Sequence, residues 1–156
     1  MKEIAERLEA LHAAYQRQHQ IYTDILTGGA LERRYIDQGD MANLLPLLTR
    51  KHEQMEAAAA DDGIIRRIQQ ELAVILQLEA FSLSQAKEAV PTNLREHVER
   101  LTEVVAAVVA SLEALEQQER EFEGKLQQWL QGPDELQEQQ QSTAKRRAKR
   151  AYKPQS

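Results

Sequence analysis

The stretch LREHVERLTEVVAAVVASLEALEQQEREFEGKLQQW, residues 94–129, decides the fold. Leu94, Val98, Leu101, Val105, Val108, Leu112, Leu115, Phe122, Leu126 and Trp129 follow one another by alternating steps of four and three, and Glu119 is the only charged residue on that track. A helix turns once every 3.6 residues, so this spacing gathers the apolar side chains into a single stripe. Such a stripe has to be covered by other helices. Its edges are marked as well: Asn93 and Glu96 have the spacing of a capping box at the start, and Gly132-Pro133-Asp134 forbids continuation at the end.

Upstream of this helix the chain repeats the pattern. Ile4, Leu8, Leu11, Tyr15, Tyr22 and Ile25 follow a heptad with Gln18 as its one polar member, which predicts a first helix over about 2–38. Gly28-Gly29 is expected to break or kink it, because each glycine in a helix interior costs about 1 kcal/mol. Gln38-Gly39-Asp40 reads as a turn followed by a cap. A second helix is expected over about 41–90. It starts between Asp40 and Asn43, with Asn43 as a candidate cap, Pro46 tolerated in the first turn and Met41, Leu44, Leu45, Leu48, Met55 and Ala59 on its apolar side. Asp61-Asp62-Gly63 is either a break or a surface kink, beyond which Ile65, Ile68, Leu72, Ile75, Leu76, Leu83, Ala86 and Val90 continue to Pro91. The fold class expected is all-α: an elongated antiparallel bundle of about three long helices, 1–132, with the last helix over 94–131. A Gln-rich and then basic tail, 133–156, has no apolar period and is expected to be loose.

Composition agrees with helices and narrows the function. Ala, Glu, Gln, Leu, Lys and Arg dominate the 156 residues, and there are only two Phe, one Trp and four Tyr. With no cysteine, disulfides and thiolate metal sites are excluded. The longest apolar run, Val104 to Ala110, is far too short for a membrane span, and Met1-Lys2-Glu3 opens an amphipathic helix rather than a secretory signal, so a cytoplasmic location is expected. All 25 acidic residues and 14 of the 20 basic ones lie in 1–144, a net charge of −11. The stretch 145–156 carries six basic residues and no acidic one. A basic tail on an acidic body points to an electrostatic contact, within the chain or with a partner.

No arrangement of catalytic residues stands out. Glu9 and His12 have the Glu-x-x-His spacing of di-metal bundles, but no second such pair exists, so neither a metal nor any other cofactor is expected. His19, His52 and His97 stand alone among charged neighbours and are expected to be solvated. There is no phosphate-binding glycine loop and no ordering that suggests a nucleophile with its base, so the chain is not expected to be an enzyme. The basic tail has only Tyr152 interleaved with its charges, which together with the acidic body argues against nucleic acid as partner.

One stretch resembles a known family. Tyr35-Ile36-Asp37-Gln38-Gly39-Asp40-Met41, followed by Leu44-Leu45, Leu47-Leu48 and Thr49-Arg50-Lys51, is similar to the opening of the second helix in FlgN-type flagellar export chaperones. The chain length and the tail Ala151-Tyr152-Lys153-Pro154 are also similar. The resemblance implies a cytoplasmic chaperone that holds hook–filament junction proteins before type III export. It implies a client contact within 112–130, where Leu112, Leu115, Phe122, Leu126, Trp129 and Leu130 would form an apolar strip if the last helix outruns its neighbours. By the same resemblance Tyr152 would touch the export apparatus. The other reading of the same stripes is a homo-oligomeric coiled-coil structural or adaptor protein, with a homodimer as its simplest form.

Overall fold

The computed structural model describes residues 2–131. The expected tail 133–156, and Tyr152 with it, lies outside the described residues. What is described is all-α, with no strand among the described residues: α1 Lys2–Thr27, α2 Gly29–Gln38, α3 Met41–Ile75, α4 Leu83–Ala89 and α5 Arg95–Leu130. A 3₁₀ turn, Thr92–Leu94, leads into α5.

The chain divides into two compact units. The first is built from Met1–Tyr22 and Glu56–Leu112. Within it α1 and α3 run antiparallel, tied by Arg7 to Glu71 and by Arg17 to Asp61. There α1 and α5 run parallel, with Glu9 beside His97 and His19 beside Ser111. The core of this unit joins Leu8, Leu11 and Ala14 of α1 to Ile65, Ile68 and Leu72 of α3 and to Val98, Leu101 and Val104 of α5. The second unit is built from Thr23–Met55 and the described residues of 113–131. Its core is Ile36 of α2, Met41, Leu44 and Leu48 of α3, and Phe122 and Leu126 of α5.

Three details differ from the sequence reading. The first is the seam. On α1 the buried track passes from Leu11 to Ala14 rather than Tyr15, and on α5 from Leu101 to Val104 and on through Ser111 to Leu115. Val105 and Leu112 are left half-buried. A strict heptad lags behind a straight 3.6-residue helix; the extra step of three adds to that lag, and the consecutive steps of four that follow, Ala14–Gln18–Tyr22 and Ser111–Leu115–Glu119, make it up. The second is α3, which runs unbroken through Asp61-Asp62-Gly63. Asp61 is buried and its carboxylate accepts from Arg17 (3.1 Å). The interruption comes instead at 76–82. Gln77 takes a left-handed conformation (φ 59°), its N–H donates to Val74 O (3.2 Å), and the N–H of Leu78 donates to Ala73 O (2.8 Å). Ser82 then caps α4 by accepting from the N–H of Gln85 (3.2 Å). That Ser-x-x-Gln spacing is the signal that the continuous apolar period concealed. The third is the start of α3. Asp40, not Asn43, is the cap: its carboxylate accepts from both the backbone N–H (3.3 Å) and the side-chain amide (2.7 Å) of Asn43. Pro46 consequently sits past the first turn, inside the helix.

The glycine pair interrupts the first helix only slightly. Gly28 keeps right-handed helical angles (φ −73°, ψ −8°), accepts from Glu32 N–H (3.1 Å) and donates to Asp24 O (3.1 Å). Gly29 serves a close approach: a Cβ there would lie 1.9 Å from the amide nitrogen of Gln118 on α5. Gly39 (φ 65°) ends α2 with the same left-handed turn that Gln77 makes without glycine. Replacing Gln77 by Gly should therefore stabilise the protein by about 1 kcal/mol, because a side chain in the left-handed region costs about 1–2 kcal/mol. Gly63 lies in the interior of α3 with open space around its missing side chain, so Gly63→Ala should stabilise by about 1 kcal/mol as well. Urea denaturation of the two variants checks both values.

Candidate functional site

The residues expected to meet a partner all lie on or beside the α5 stripe, but they do not form a free strip. Leu115, Phe122 and Leu126 are core: Phe122 is fully buried, and the other two are less than 5% exposed. Leu112, Trp129 and Leu130 are half-buried. The strip is covered because α5 does not outrun its neighbours in this unit. Here α2 runs parallel to it, with Arg33 on Glu121 (3.0 and 3.1 Å) and Lys125 on Asp37 (2.7 Å). The start of α3 supplies Met41, Leu44 and Leu48 from the other side. Trp129 closes the end of this core, its ring against Gly39, where a Cβ would come within 3.2 Å of the indole. Gly39 is thus fixed twice, by its left-handed backbone and by the indole.

Beside Phe122 lies the feature that the apolar pattern does not predict. Glu32 of α2 and Lys51 of α3 are both buried, at 3% and 8% exposure, with Lys51 Nζ 3.4 Å from Glu32 Oε2. The same ammonium reaches Glu119 of α5 at 3.9 Å. One cation therefore serves two carboxylates, one from each neighbouring helix. It also stands 5.9 Å from the centroid of the Phe122 ring, and the Arg33 guanidinium lies 5.6 Å from that centroid. Desolvation dominates over the attraction of Lys51 and, with Glu119 adding repulsion, pushes the Glu32 carboxyl up to about 7. The Gln118 amide oxygen next to Glu119 is buried without a hydrogen-bond partner.

An open cleft of ≈ 520 Å³ adjoins this layer, between 24–32 and 47–54. Ile25, Leu31 and Leu47 form its apolar lining, Glu32 and Lys51 its buried ion pair, and Asp24 and Arg50 add one charge of each sign. The stretch carrying the family resemblance, Tyr35 to Lys51, thus supplies α2–α3 contacts of this unit's core and the cation of its charged layer.

The first unit has a polar layer of its own. Gln18, 2% exposed, donates from its amide to Ala58 O (2.9 Å) and to the Asp62 carboxylate. Tyr15 is raised above its ordinary value mainly by burial and then by Asp62; it accepts a hydrogen bond from Gln69 (3.0 Å). Two of the histidines, His19 and His97, are half-buried rather than solvated as the sequence suggested. His19 bonds Ser111 (3.1 Å), and His97 has a buried Nδ1 and sits 3.7 Å from Glu9. They flank the seam, where the rims of neighbouring helices cover them. Among the described residues no group of three or more potential ligands could hold a metal ion, and no helix is long and apolar enough to cross a membrane.

No protein-family model, characterised protein or solved structure matches the chain.

Two substitutions separate the apolar from the charged contribution. Phe122→Ala should cost about 3–5 kcal/mol in urea denaturation, as expected for a fully buried ring. Lys51→Met should cost about 3 kcal/mol at pH 8, where Glu32 and Glu119 are left facing each other without a cation. Its penalty should shrink as the pH falls to 5, because Glu32 takes up a proton and the repulsion disappears.

Proposed function

We propose that this chain is a non-catalytic binding protein that holds helical segments of other proteins, and specifically a chaperone for hook–filament junction proteins in the cytoplasm before type III flagellar export. The observation that carries the general reading is the second unit. A long helix, α5, lays Leu115, Phe122, Leu126 and Trp129 along one face, and part of the cover on that face is the short helix α2. Apolar faces of this width are what amphipathic helices recognise, through anchors at i, i+3, i+4 and i+7. The flagellar client is suggested by the resemblance of the Tyr35–Lys51 stretch. A client that is disordered until bound gives up ordering free energy on binding, which keeps affinity moderate and release feasible. The tail charge between 145 and 156 supports a second role, in docking on an acidic surface while the helical part holds its client.

A homo-oligomeric adaptor is the second reading, and exposed aliphatic side chains favour it: Val74 is 78% exposed and Val109 48%. The two readings predict different mixtures. Mixed with purified hook–filament junction proteins, the chaperone forms a stoichiometric complex that is resolved by size-exclusion chromatography and calorimetry. The adaptor forms none, and its own mass, measured by light scattering, stays above that of a single chain on dilution. Tyr152→Ala should leave client binding unchanged and reduce export of the client by cells.

A further inference from the structure

The ten residues of α2 are held differently from the rest of the second unit. They lie between two glycines, Gly28 with no side-chain cap and Gly39 in the left-handed turn. A helix this short is not stable by itself and depends on what it buries. Its buried residues are Gly29, Glu32 and Ile36, so a single large aliphatic side chain anchors it, with Tyr35 only half-buried beside the core. By contrast α3 places Met41, Leu44 and Leu48 in the same core, and α5 places Phe122 and Leu126 there. The remaining ties of α2 are polar. Arg33–Glu121 and Lys125–Asp37 are solvated at 32–52% side-chain exposure, where ion pairs add little. Glu32 is buried, but it shares its cation with Glu119.

We propose that α2 is a hinged strap, which swings out at Gly28 and Gly39 to bare Leu44, Leu48, Phe122 and Leu126 while α3 and α5 stay folded, and which the Glu32–Lys51–Glu119 layer fastens. Segments with few buried apolar contacts open at lower free energy than the global unfolding of the protein, and α2 is the segment of this unit that fits that description. Hinge and cover are both present in the chain. Gly28 has the freedom to leave its right-handed conformation, and a Cβ there would meet nothing closer than Ile25 O at 3.5 Å. The face that α2 covers is a helix-binding face by construction, since a helix already occupies it. A partner fitted to it is an amphipathic helix with an aliphatic residue in the place of Ile36 and a carboxylate in the place of Glu32, opposite Lys51.

The fastening depends on protons. Glu32 is faced by Lys51 from α3 and by Glu119 from α5, and Asp24 and Arg50 line the adjoining cleft. Burial holds its carboxyl up at about 7 while the strap is shut. Once the strap opens, the group returns to water and to the ordinary carboxylate range. The shut form therefore holds the proton more tightly. Its advantage is complete below the ordinary carboxylate range and is lost as the pH rises through about 7.

Amide hydrogen exchange on the full chain, read by segment and corrected for the intrinsic pH dependence of exchange, tests this without any client. It therefore stands or falls separately from the export reading. The expected result is an opening of 29–38 at least about 100-fold more populated than that of 41–55 and 113–126. The population should rise about tenfold or more from pH 5.5 to pH 8. Glu32→Gln should remove that pH dependence. Gly28→Ala, whose side chain has room in the shut form, should reduce the opening of 29–38 by about two- to fivefold without changing exchange in 41–55. Exchange of 29–38 only together with 41–55 would overturn the strap. An unaltered pH dependence in Glu32→Gln would overturn the fastening role of the charged layer, and unaltered opening in Gly28→Ala would overturn the hinge.

Discussion

Three helices meeting along a seam leave only a line of interior, so a polar residue placed on that line has to find its partner within one turn of a neighbouring helix. In either unit of this protein that constraint shapes what surrounds the apolar residues. Gln18 reaches Ala58 O and Asp62 across the α1–α3 contact. Lys51 reaches Glu32 and Glu119 across the α3–α2 and α3–α5 contacts. Replacing the whole Lys51–Glu32 pair together by well-packed apolar residues would be as stable or more so, because the desolvation of a buried ion pair offsets most of its attraction, whereas removing one partner alone is costly. What a polar layer adds is discrimination: a slip of one turn along the seam would leave Lys51 without carboxylates and Glu32 buried against Leu or Ile. The same logic fixes register in coiled coils by a single buried polar residue.

The second layer is not balanced, and that is where physical chemistry departs from simple register control. Burial of Glu32 outweighs the attraction of Lys51, Glu119 adds a smaller repulsion, and Glu32 responds by holding a proton up to about 7. Phe122 lies under the same ammonium, so the layer and the largest side chain of the core share one neighbourhood. In the proposed strap, loosening the charged layer loosens the cover of the apolar face, whereas in the first unit Gln18 carries no charge.

Much of this architecture could be read from the residues. The stripe from Leu94 to Trp129, the helix start at Asp40 or soon after, and the left-handed turn at Gly39 all follow from period and turn chemistry. Buried Gln18 was visible as the polar member of an otherwise apolar heptad. The rest was hidden for identifiable reasons. Ile75, Leu76, Leu83 and Ala86 keep helical spacing across a loop, so period alone ran straight over the turn at Gln77, and only the Ser82/Gln85 cap marked the restart. Asp61-Asp62-Gly63 looked like a turn by composition. Arg17 and Gln18, more than 40 residues earlier in the chain, satisfy its carboxylates and let the helix continue. Lys51 and Glu32 looked like ordinary surface charges, because burial of a charge depends on where its counter-charge arrives from, and the two are 19 residues apart across a turn.

Exposure of the α5 end was the least legible feature, since it turns on how far a neighbouring helix extends rather than on α5 itself. A stripe that ends in Phe122, Leu126 and Trp129 has the same sequence whether its cover is a permanent neighbour, a sister chain or a client. The structure supplies a cover from within the chain, with Ile36 as its single large aliphatic anchor, Tyr35 half-buried beside it and Glu32 buried opposite Lys51. A permanent cover is normally built from the residues that bury most apolar area, because that is the cheapest way to hold an element in water. A cover with a single large aliphatic anchor gives up much of that area, and its buried carboxyl makes its hold sensitive to protons. The composition of α2 is therefore what the proposed strap requires, and the apolar face beneath it is one that a helix already covers.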